Sequence, residues 1–133
     1  MIGIVVVSHG NLSRELVAAA QHVVGTQKRF RAISIEAEDD IEARRGEIRD
    51  TATACDDGSG VIILTDMFGG TPSNLAISVM IENKVEVIAG VNLPMLIKLA
   101  EIRDEMGLKE ACNVAAEAGR KYISIASEVM SRA

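Results

Sequence analysis

The stretch Ile2-Gly3-Ile4-Val5-Val6-Val7 holds six consecutive apolar or glycine positions and then breaks at Ser8-His9-Gly10. A short unbroken run rich in β-branched residues reads as a strand buried on both faces, as in parallel sheets. Parallel strands need helical crossovers, so this run predicts a layered α/β chain. His9 stands at the carboxyl end of that strand, where open α/β sheets keep their ligand crevice.

Three more segments read as strands: Phe30–Ile35, Val61–Thr65 (followed by Asp66) and Val85–Ala89. Helical spacing fills the intervals. Asn11–Val24 carries Leu12, Leu16, Ala19, Ala20, Val23 and Val24, with Asn11 as its expected cap and Gly25 as its stop. Ile41–Cys55 has a thin stripe at Ile41, Ile48, Ala52 and Cys55 beside a charged face, after the acidic loop Glu36–Asp40. Pro72 opens a helix whose expected buried stripe is Leu75, Ala76, Val79 and Met80. Leu93–Ile102 is apolar nearly all round and so must be covered, with a second subunit as one option. Leu108–Gly119 is helical, with small residues at Ala111, Cys112, Ala115 and Ala118. From Lys121 onward the pattern fits either a helix (Tyr122, Ile125, Ala126, Val129, Met130) or an edge strand at Tyr122–Ile125.

Strands alternating with helices imply right-handed βαβ units. The expected fold is a doubly wound, mainly parallel sheet in the order 2-1-3-4 with helices on both faces. That order makes the first and third strands neighbours and brings His9 and Asp66 together at the switch point.

One domain spanning residues 1–133 is expected from the length, and 48% apolar with 25% charged residues is globular rather than disordered. A net charge of −5 argues against a nucleic-acid partner. Cys55 and Cys112 match no redox or zinc spacing and read as reduced thiols, and the two histidines and two cysteines form no metal cluster. Ile2–Val7 lacks the basic flank and cleavage site of a signal peptide, and no run approaches the roughly 20 apolar residues of a membrane span. A cytoplasmic protein without membrane insertion is expected, with neither a Walker nor a dinucleotide motif and no cofactor.

A lone histidine is ordinarily structural, and His22, off the stripe of its helix, is read as surface. His9 differs by its strand-end position and by the second strand that ends at Asp66. A neutral imidazole is nucleophilic, and its reference pKa of about 6.5 leaves it mostly unprotonated at neutral pH. Asp66 can hold the proton on one ring nitrogen and offset charge arising on the ring, leaving the other nitrogen to attack phosphorus. A carboxylate on Nδ1 would leave Nε2 free. The oxygens of a transferred phosphoryl group need donors. Gly10 and Asn11 at one helix start, and Gly69, Gly70, Thr71, Ser73 and Asn74 at another, are the candidates.

At these residues the sequence resembles the enzyme IIA component of the mannose family of the bacterial phosphoenolpyruvate-dependent sugar phosphotransferase system (PTS). The segments that carry the likeness are Val7-Ser8-His9-Gly10-Asn11, Asp66-Met67-Phe68-Gly69-Gly70-Thr71-Pro72-Ser73-Asn74 and Val87-Ile88-Ala89-Gly90-Val91-Asn92-Leu93-Pro94-Met95-Leu96. The resemblance implies that His9 is phosphorylated with Asp66 as its hydrogen-bond partner. It implies the phosphohistidine carrier HPr as donor and an enzyme IIB domain as acceptor. Thr71 stands where the family commonly has serine. The resemblance also implies a homodimer in which the tail forms an antiparallel edge strand exchanged between subunits. That would settle the Lys121–Ala126 ambiguity and cover Leu93–Ile102.

The chain ends at Ala133, where many members continue through a linker into a IIB domain. A stand-alone IIA serving a separate IIB, or reporting phosphorylation state as a regulatory docking module, is expected. The phosphoryl-donor subunit of a dihydroxyacetone kinase is a related reading, and Gly90–Pro94 favours the mannose-type branch over it. A non-catalytic phosphometabolite-binding domain would form no covalent adduct.

Overall fold

The computed structural model describes residues 1–131; residues 132 and 133, the last two of the expected domain, lie outside the described residues. Four strands form one sheet: β1 (Gly3–His9), β2 (Phe30–Ile35), β3 (Val61–Thr65) and β4 (Val85–Ala89). Their order is β2-β1-β3-β4 and every neighbouring pair is parallel, as expected. The helices are α1 (Leu12–Val24), α2 (Ile41–Cys55), α3 (Thr71–Ser78), α4 (Leu93–Ile102), α5 (Leu108–Lys121) and α6 (Ala126–Ser131).

The sheet divides the apolar interior in two. Ile4 and Val6 of β1 join Val17, Leu96, Leu99 and Ala115 on the side of α1, α4 and α5. Val5 and Val7 join Ile48, Leu75 and Val79 on the side of α2 and α3. Both cores need apolar residues from the same strand, which is why β1 shows no polar alternation. Each such side chain taken fully out of water stabilises the fold by about 1.5–3 kcal/mol. The alternation also decides the strand end: Ser8 follows Ile4 and Val6 toward α1, and His9 follows Val5 and Val7 toward α3.

Several expectations need correction. Ile41 and Met80, assigned to buried stripes, are exposed, and so are Leu12 and Val23. Ile41 opens α2 beyond the sheet's reach, and Met80 falls after α3 has ended at Ser78. The apolar helix α4 is covered within the chain, packing on α1 and α5. In the tail, left open between helix and edge strand, 123–125 lie in no strand of the single chain and Ala126–Ser131 is helical. A strand can exist only against another strand edge, whereas a helix satisfies its own backbone. No helix of the described residues is long and apolar enough to cross a membrane.

Candidate functional site

The ends of β1 and β3 lie side by side, with Val7 level with Thr65. His9, two residues beyond Val7, and Asp66, one beyond Thr65, meet there. The His9 ring places Nδ1 2.7 Å from Asp66 Oδ2, and the His9 backbone N–H donates to the same oxygen at 3.0 Å. Asp66 Oδ1 accepts the Met67 N–H at 3.0 Å. One carboxylate therefore fixes both the ring and the main chain of the histidine. An ionised carboxylate only accepts, so Nδ1 carries the proton, and in the neutral ring Nε2 is the nitrogen with the lone pair.

Burial works to raise the Asp66 pKa, but the backbone and ring donors of His9 and the Met67 N–H outweigh it, holding the carboxyl below its ordinary value. The pair is also asymmetric in access: the His9 side chain is 52% exposed and that of Asp66 is 12% exposed. The ring is reachable from solvent and the carboxylate that holds it is sheltered.

Gly70 lies against the ring. A Cβ added there would come within 2.8 Å of His9 Cε1 and 3.2 Å of Nε2, so any side chain would displace the imidazole. Gly70 is also the N-cap residue of α3 and its side-chain-free position offers no capping group. The first hydrogen bond of α3 runs from the Asn74 N–H to Gly70 O. Among the described residues, the N–H groups of Gly70, Thr71 and Ser73 have no hydrogen-bond acceptor. Such free amides at a helix start attract anions.

The other expected site residues divide. Gly69 lies in the same loop with φ +91°, and Thr71 is exposed at the first helical position. Ser73 is fully buried, main chain included, and its Oγ has no partner, so the structure does not open this expected phosphate ligand to an anion. Asn74 is exposed, but its N–H is spent on Gly70. Gly10 turns the chain with φ +53° and its N–H is taken by Ile35 O at 3.0 Å. Asn11 occupies the N-cap position of α1 without making a side-chain cap. Instead Ser8 Oγ accepts the Ser13 N–H, a role the sequence reading did not assign. The available signal was a serine closing an otherwise apolar strand.

The third segment of the likeness has a structural role. Asn92 caps α4 by accepting the Met95 N–H at 3.1 Å, and its amide donates to Gly119 O of α5 at 2.9 Å. This ties α4 to α5 beside the end of β4. Leu12, Met67 and Phe68 are exposed in the segments flanking His9, Phe68 most of all at 76%.

The sequence profile of the family described as EIIA-man, PTS system fructose IIA component, matches residues 3–116. The chain is 25% identical over 133 residues to the fructose-specific EIIA component of the PTS of Bacillus subtilis (strain 168), covering 99% of this chain and 91% of that protein. It is 31% identical over 124 residues to the mannose-specific EIIAB component of Escherichia coli (strain K12), covering 92% of this chain and spanning 38% of that longer protein. Among solved structures, the EIIA component from Streptococcus agalactiae superposes with a TM-score of 0.87 at 23% identity, covering 96% of this chain and 99% of that one. The PTS IIA protein associated with the fucose utilization operon of Streptococcus pneumoniae gives 0.83 at 26% identity, covering 96% and 95%. With the profile covering most of its length, the chain belongs to the mannose-type EIIA family of PTS IIA components.

Proposed function

We propose that this chain is a phosphocarrier in which His9 Nε2 takes a phosphoryl group from phospho-HPr and passes it to an enzyme IIB domain. The observation that carries this reading is the His9 ring, held through Nδ1 by Asp66 while its other nitrogen faces the Gly70 loop. The Nε2 lone pair attacks phosphorus, the P–N bond to the donor histidine breaks, and that donor keeps its electron pair. The proton on Nδ1 stays in place, and Asp66 offsets the positive charge that develops on the ring. The free amides of Gly70 and Thr71 and the Thr71 hydroxyl stabilise the phosphoryl oxygens. Phosphoryl transfer asks for positioning and charge stabilisation rather than further covalent chemistry.

The exposed Leu12, Met67 and Phe68 beside His9 support a protein as donor and acceptor, since an apolar rim suits a docked surface better than a small metabolite. We also propose a homodimer in which residues 121–126 leave the position seen here and add an antiparallel strand to β4 of a second copy. In support, Tyr122, Ile123 and Ile125 are exposed. A cavity of about 800 Å³ runs along the outer edge of β4, between Glu86–Ala89 and Leu108, Cys112 and Ala116 of α5.

Incubation with phosphoenolpyruvate, enzyme I and HPr should add one phosphoryl group per chain by intact mass, in acid-labile, base-stable linkage. His9→Ala should abolish the adduct without loss of helical circular dichroism. A folded His9→Ala protein that is still labelled would exclude His9 as the acceptor.

A further inference from the structure

Ser8 precedes His9 but points to the other face of the sheet, where it is fully buried. Resting on the phosphocarrier reading above, we propose that Ser8 is a positioning residue for transfer at His9, with its hydroxyl held in place by Ser13 and Ser34. The hydrogen bonds fix the direction of each proton. Ser8 Oγ accepts the Ser13 N–H at 2.6 Å. Its own proton goes to the carbonyl oxygen of His9 at 3.1 Å or of Gly10 at 3.4 Å. The Ser13 hydroxyl donates to Ile33 O at 2.9 Å, which leaves the Ser34 hydroxyl, at 3.4 Å, to donate to Ser13 Oγ. All three serines are buried, so each hydroxyl is costly to leave unpaired and the chain of bonds resists rearrangement.

The corner these bonds hold is the one on which His9 depends. Gly10 is in the left-handed region, with no Cβ to restrict it, so its peptide planes need external support. That support comes from three directions. Ile35 O accepts the Gly10 N–H, Asp66 accepts the His9 N–H, and the Ser8 hydroxyl donates to a carbonyl oxygen of the corner. The His9 N–H and Nδ1–H reach one oxygen of Asp66 together only while the His9 peptide keeps its angle. Ser8 also supplies the cap that Asn11 does not, so the start of α1 and the orientation of the nucleophile share one hydroxyl.

The test combines transfer kinetics with the ¹⁵N spectrum of the His9 ring in the unphosphorylated protein. In Ser8→Ala, single-turnover transfer from phospho-HPr should fall about tenfold, while the half-saturating HPr concentration stays within about twofold. The final adduct should still be one per chain. The ring signals should move toward a mixture of tautomers, and Ser8→Thr, which keeps the hydroxyl, should restore both rate and spectrum. A wild-type rate in Ser8→Ala overturns the proposal, as does a slow Ser8→Ala whose ring signals match the wild type. If Ser8→Ala does not fold, Ser34→Ala decides: the same displacement of the ring signals in smaller measure supports the proposal, and unchanged signals overturn it. Failure of the wild-type protein to accept any phosphoryl group would overturn the phosphocarrier reading instead, and the ring spectrum would still report on Ser8.

Discussion

At the carboxyl end of the sheet His9 and Asp66 meet with the ring half in solvent, and at the amino end Arg103 is sealed away at 2% exposure. Both ends hold a cationic or potentially cationic group against fixed acceptors, but the acceptors differ. Arg103 donates to the carbonyl oxygens of Arg29, at 3.3 Å, and of Lys28, and to the Met1 sulfur at 3.0 Å. Burial pushes its pKa below the ordinary arginine value, with Asp104 as the largest opposing influence. Around it the chain-start ammonium reaches Asp57 at 2.6 Å and Asp104 at 3.6 Å. The Asp57 carboxyl is held well below the usual carboxylate range by that ammonium and by Ser59.

The amino end thus spends its charge on joining β1, β2 and the end of α4. The carboxyl end spends a carboxylate on one ring nitrogen and leaves the other free. Chemistry is distinguished here by an accessible atom with a lone pair, and charge alone does not mark it.

If the two ends divide the work in this way, damage to one should spare the other. The largest effect is expected for Asp66→Ala, which should slow transfer to His9 about 10²-fold, some 2.7 kcal/mol of barrier, while HPr still docks. Single-turnover kinetics across HPr concentrations separates the two, and a loss confined to docking would break the comparison. The same residue gives a pH signature. Its folded pKa is depressed, so the stability it contributes is present above the unfolded value of about 3.9 and is lost as pH falls through the folded value. Denaturation of the wild type and Asp66→Ala should therefore converge at acid pH.

Arg103→Met comes next. It keeps the apolar stem but leaves the Lys28 carbonyl without its donor, while Arg29 O retains the Ile4 N–H, and should destabilise the fold by about 1 kcal/mol in urea titration. The folded fraction should accept phosphoryl groups at the wild-type rate; a slowed rate would mean that the two ends are coupled. Gly70→Ala should act more gently, slowing transfer about tenfold with little change in stability, because its methyl group meets a partly exposed ring that can move aside.

Much of this was legible in the chain. Unbroken apolar runs marked β1 and β3, mostly apolar segments marked β2 and β4, and the doubly wound order placed β1 beside β3, which paired His9 with Asp66 before any distance was known. The tail was not legible, because Tyr122–Ile125 fits an edge strand as well as a helix and the choice depends on whether a strand edge is present. What covers α4 was open for a similar reason: its apolar surface says that something covers it, without saying that α1 and α5 do. Ser8 was passed over because Ser13 reaches it only across a reversed corner, and Ile33 and Ser34, which hold Ser13, lie on a neighbouring strand.

The amino-acid sequence by itself determined the four strands, the helices between them, their order and the two residues at the strand ends, because burial on both faces and helical periodicity are written in consecutive residues. The tertiary structure alone decided which nitrogen of His9 is held, that Gly70 presses on the ring, and that Ser8 faces α1 while its neighbour faces α3. These depend on strand register and on backbone angles at a glycine corner, where a shift of one residue exchanges the two faces of the sheet.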